Sequence, residues 1–77
     1  DRCEKLISEA NRNIYEAKNQ WAKYEKYKKE GNEVETEIAL RNFESHKGYA
    51  EGIYQALAVI GYNKSENFKN FDEFLLG

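Results

Sequence analysis

From Cys3 to Tyr24 the positions Cys3, Ile7, Ala10, Ile14, Ala17, Trp21 and Tyr24 alternate steps of four and three, while Glu, Asn, Lys and Arg fill most of the rest. That spacing lines one side of an α-helix and predicts a long amphipathic helix over residues 2–30. The same alternation returns in Thr36, Ala39, Phe43, His46, Ala50, Ile53, Leu57 and Ile60, predicting a second helix over residues 33–60. Between them, Gly31 suits the left-handed conformation that closes a helix, and Lys26, Lys28 and Lys29 match the negative end of its dipole. Asn32 is an N-cap with Glu35 in the capping-box position, and Glu33 and Glu37 add the charge preferred at a helix start.

A turn of residues 31–32 makes the two helices antiparallel. Folding the chain there brings the two stripes into register. Tyr24 faces Ala39, Trp21 faces Phe43, Ala17 faces His46, Ile14 faces Ala50, Ala10 faces Ile53, Ile7 faces Leu57, and Cys3 faces Ile60. Alanine stands opposite a larger residue in several of these layers, which fills space without voids or overpacking. Gly61 then stops the second helix. Beyond it Phe68, Phe71, Phe74 and Leu75 recur at helical spacing, so a short helix with an aromatic face is expected over residues 66–76, capped by Ser65 or Asn70. So short a helix needs a groove to dock in, on its own hairpin or on a neighbouring copy. The expected fold is all-α: an antiparallel two-helix hairpin plus a short C-terminal helix, one domain, assembling into an oligomeric helical bundle.

A second pattern cuts across the first. Gly48, Gly52 and Ala56 fall every four residues on another face of the second helix. A glycine inside a helix costs about 1 kcal/mol relative to alanine, so a surface that approaches this face closely is expected to offset it. Tyr15, Tyr27, Tyr49 and Tyr54 are not needed by the stripe, and tyrosine favours interfaces through its large apolar ring and polar tip. The interface expected from sequence therefore comprises Gly48, Gly52, Ala56, Tyr15, Tyr27, Tyr49, Tyr54, Phe68, Phe71 and Phe74.

Composition narrows the chemistry. At 77 residues the chain is near the lower limit for a self-sufficient core. One cysteine and one histidine allow neither an internal disulfide nor a zinc site, which leaves self-association as the means of adding stability. The missing crosslinks, and the lack of a long apolar run or an opening signal-peptide pattern, lead to the expectation of a soluble cytoplasmic protein with no membrane contact. No methionine is present, so an initiator is expected upstream of Asp1. The run from Trp21 to Lys29 interleaves aromatic and basic residues as a nucleic-acid surface does. A net charge of −2 and the neighbouring glutamates argue against nucleic acid, whose binding needs concentrated positive charge.

His46 has no second histidine and no serine-histidine-acid set that the hairpin would bring together, and is expected to be a hydrogen-bonded packing element. Cys3 is a small buried apolar group. The Glu-x-x-His repeat of metal-binding bundles is absent, and Glu33, Glu37 and Glu44 read as a solvated face with Glu37–Arg41 and Glu25–Lys29 as helical ion pairs. No catalytic residue, metal or cofactor is assigned.

The ending YAEGIYQALAVIGY, Tyr49 to Tyr62, following a helix and a Gly-Asn turn, resembles the small helical-hairpin proteins encoded by bacteriophages and prophages. The resemblance implies an accessory protein of the host cytoplasm that binds and blocks a host component, including defence systems. Some such proteins are helical oligomers that sequester signalling nucleotides. No site motif is shared, so no residue role is carried over. The expectation is a non-enzymatic, homo-oligomeric inhibitor or modulator of a protein partner. The alternatives are a sponge for a nucleotide-like ligand held between copies by Tyr49, Tyr54 and Lys47, and a structural subunit of a larger assembly.

Overall fold

The computed structural model describes residues 2–62 as two α-helices, α1 over Arg2–Glu30 and α2 over Glu33–Val59, packed against each other as a hairpin. The longest dimension, 44 Å, is that of a helix as long as α1 at about 1.5 Å per residue, so the described residues form a rod set by one helix. The expected C-terminal helix with Phe68, Phe71 and Phe74 lies outside the described residues. Among the described residues no helix is long and apolar enough to cross a membrane.

Both helices close in the same way. Gly31 adopts φ +77°, its N–H donates to the Lys28 carbonyl at 3.2 Å, and the Asn32 N–H reaches back to Tyr27 at 3.0 Å. These paired backward bonds satisfy carbonyls that the end of α1 would leave bare. Asn32 then starts α2: its side-chain oxygen accepts from the Glu35 N–H at 3.2 Å, and the Thr36 hydroxyl donates to the Asn32 carbonyl at 2.6 Å. At the far end Gly61, φ +79°, donates to Ala58 at 3.0 Å, and Tyr62 donates to Leu57 at 2.8 Å. α2 ends at Val59 with Ile60 as its cap, one residue short of the sequence expectation.

The core has two unequal parts. Towards the open end, Ile7, Ala10, Ile14, Ala50, Ile53 and Leu57 form a buried cluster, with Cys3, Tyr54 and Tyr62 packed against it. Towards the turn, Ala17 and Ala39 are buried and Trp21 packs on Phe43 with ring centroids 5.0 Å apart, as the folded-hairpin register requires. One of the expected layers changes. Ile60 does not face Cys3; it is 66% exposed, because the helix ends there and the backward turn brings Tyr62 onto the cluster in its place. His46 is half-buried with Nδ1 2.8 Å from the side-chain oxygen of the buried Asn13, the hydrogen-bonded packing element expected of it. Half of the buried apolar residues are alanines, so few large side chains hold the hairpin together. Among the described residues that is little burial for two helices of this length.

Candidate functional site

The face of α2 turned away from α1 is a second seam. Val34, Ile38, Arg41, Ser45, Gly48, Gly52, Ala56 and Val59 follow steps of three and four along it, with Tyr49 and Ile60 on its edge. All ten are exposed. Val59 is 86% and Val34 is 68% open to solvent, values at odds with their apolar side chains when they recur along one stripe. Arg41 is the only charge on the stripe, and it leans back to Glu37 at 2.9 Å on the same helix.

The two interior glycines lie at the middle of this face. A Cβ built on Gly48 or on Gly52 meets no atom within 4 Å, so nothing inside the hairpin requires them to be glycine. Their cost in helix stability has no return within the described residues. Sequence reasoning singled out Gly48, Gly52, Ala56 and Tyr49, and the structure brings these four onto one surface. It also adds Val34, Ile38, Val59 and Ile60, which the sequence reading missed or assigned to the inner stripe. Their signal was present in the spacing, because α2 carries a second stripe of period 3.6 beside the inner one of Phe43, Ile53 and Leu57.

The other expected interface residues scatter. Tyr15 is 65% exposed on α1. Tyr27 lies near the turn with the Lys26 ammonium 5.8 Å from its ring centre, and Tyr54 packs against the core cluster. Phe68, Phe71 and Phe74 lie outside the described residues. Tyr49, Tyr54 and Lys47, expected to share a ligand, do not share a face. Lys47 and Tyr54 flank the inner seam, Lys47 lying 5.8 Å from the Phe43 ring centre and 4.0 Å from Glu51, while Tyr49 reaches the opposite flank.

There Tyr49 donates its hydroxyl to the Glu9 carboxylate at 2.9 Å. That hydrogen bond, followed by the negative charge of Glu9, raises the Tyr49 pKa above its ordinary 10.0, while Arg12 opposes the shift. One turn along, the buried Asn13 donates its amide to the Glu9 backbone carbonyl at 2.8 Å, so its oxygen accepts and His46 presents Nδ1–H to it. The pair ties α1 to α2 at one register, which is a structural role.

A further feature opens near the turn. Trp21, Tyr24, Glu25, Lys28 and Lys29 line a shallow groove of about 460 Å³. Trp21 and Tyr24 are tilted against each other at 4.9 Å, and the Lys28 ammonium lies 5.5 Å from the Tyr24 ring centre. Trp21 occupies the core seam but stays 41% exposed, since the small Ala39 and the polar Thr36 leave the end of the seam underfilled.

Among the described residues no three His, Cys, Asp or Glu side chains come together in a metal-binding group. Comparison with protein-family models, curated proteins and solved structures finds no match to this chain.

Proposed function

We propose that this protein is a non-enzymatic binding module that self-associates and acts by engaging another macromolecule, with the outer face of α2 as its interaction surface. The observation that carries the reading is the row of exposed Val34, Ile38, Tyr49, Val59 and Ile60 around two glycines that nothing within the hairpin requires. Tyrosine and aliphatic side chains around a close-approach stripe are what a helix-in-groove or helix-on-helix interface uses. The likeness to phage hairpin proteins supports a host component as the partner. The test is affinity capture by wild type and by Gly52→Leu, with helicity followed by circular dichroism. The expected result is a specific partner held by wild type and lost by a variant of equal helicity. A partner held equally by both would remove the outer face from the account.

A second reading, a sponge for a nucleotide-like ligand, draws on the Trp21 groove, where aromatic faces and two lysines meet. A base stacks on such rings and a phosphate pairs with lysine as a point charge. Thermal-shift screening against nucleotides decides between the readings, because a ligand bound only by the folded state raises its apparent stability. Quenching of Trp21, the only tryptophan, would locate such a ligand at the groove.

A further inference from the structure

We propose that the outer face of α2 pairs with the same face of a second copy, antiparallel and in a register centred between residues 46 and 47. The inference rests on reading this face as an interface, and adds its occupant and its geometry. Pairing about a two-fold axis requires a stripe that is complementary to its own reversal. α2 runs Glu33–Val59, so this centre lies within a residue of its midpoint and the two helices overlap along their full length.

The layers follow from the spacing. Val34 meets the partner's Val59 and the partner's Ile60. Ile38 meets the partner's Ala56, Arg41 meets the partner's Gly52, and Ser45 meets the partner's Gly48 and the partner's Tyr49. A larger side chain faces a smaller one through the inner layers, and the outermost layer is aliphatic on both sides, which is how facing positions fill space. Opposite a glycine, Arg41 has room to carry its guanidinium to the rim, where Glu37 and Glu44 border the stripe. Moving the register one turn in one direction leaves Val59 and Ile60 past the start of the partner helix, and one turn in the other leaves Val34 past its end. Only the centred register covers every exposed apolar residue of the face. The area removed from water is on the order of 1,000 Å² over both copies, the size at which a specific interface is sustained.

The antiparallel register makes a distance prediction. Identical positions fall far apart: about 26–28 Å along the helix for Ile38 to its copy and for Ala56 to its copy, whereas Ile38 and the partner's Ala56 are neighbours. In a Cys3→Ser background, mild oxidation of the double variant Ile38→Cys/Ala56→Cys is expected to give a covalent dimer, while each single variant stays monomeric on a denaturing gel. Crosslinking of the single variants would show parallel pairing. Failure of the double variant in a protein whose solution mass is dimeric would show another register or another surface. A monomeric mass at the highest soluble concentration would mean that residues 63–77 or a different protein covers the face. Each of these three results overturns the proposal, whereas a wild type that pairs in this register and captures no other protein leaves it standing and removes only the proposed partner binding.

Discussion

Replacing Gly48 and Gly52 together with alanine separates what these positions do within one copy from what they do between copies. In the hairpin the added methyl groups meet nothing within 4 Å, so only the helix preference changes. That preference favours alanine by about 1 kcal/mol at each position, about 2 kcal/mol for the pair. For a domain of this size each kcal/mol moves the midpoint by roughly 4–8 °C, so the dilute variant should melt on the order of 10 °C above wild type. In the assembled state the same methyl groups hold two α2 helices apart, and the dissociation constant should weaken at least about tenfold, equivalent to about 1.4 kcal/mol. Thermal unfolding followed by circular dichroism at low concentration, with molar mass measured across a dilution series, reads both effects. A dilute midpoint that stays put or falls would show that the glycines are needed inside the hairpin. A higher midpoint with undiminished association would show that close approach at Gly48 and Gly52 is not what joins the copies.

Other positions test the fold beneath the site. Leu57 is fully buried, so Leu57→Ala should cost about 2–5 kcal/mol in urea unfolding, a large part of what so small a core supplies. Asn32→Ala, which removes the cap on Glu35, should cost about 1 kcal/mol in the same assay. A double-mutant cycle on Asn13→Ala and His46→Ala should show a coupling of about 0.5–1.5 kcal/mol, and strict additivity would deny the cross-helix bond. Tyr49 has its pKa raised, so the fold favours the protonated phenol; its contribution is complete below the ordinary value of 10.0 and is lost as pH rises through the raised one. An ultraviolet tyrosinate titration should therefore lose a component that titrates above the ordinary value in Tyr49→Phe.

Much of the hairpin could be read from spacing alone, because Gly31, Asn32 and Glu35 are local signals whose geometry depends on few distant residues. The Trp21–Phe43 layer followed from register once the turn was placed. Where the reading slipped, tertiary context decided. Ile60 fits the inner spacing, but Gly61 turns the chain so that Tyr62 completes the cluster and Ile60 faces water. His46, by contrast, is the hydrogen-bonded packing element its place on the stripe suggested, with Asn13 as its partner. The candidate face was half legible: Gly48 and Gly52 violate helix preference and stood out, whereas Val34, Ile38 and Val59 are ordinary residues whose exposure only the packing of α1 reveals. Tyrosine content by itself was a poor guide, since Tyr54 packs on the core and Tyr49 is engaged by Glu9.

The most direct test of the outer face is the molar mass of wild type and of Ile38→Asp in solution, measured by light scattering as a function of concentration. Ile38 is exposed and outside the inner seam, so a charge there leaves the hairpin helical. The account predicts that wild type rises from the 9.1 kDa of one chain to twice that mass while Ile38→Asp remains at the single-chain value with an unchanged helical spectrum. Equal association of both proteins, or a wild type that stays monomeric throughout, would contradict it.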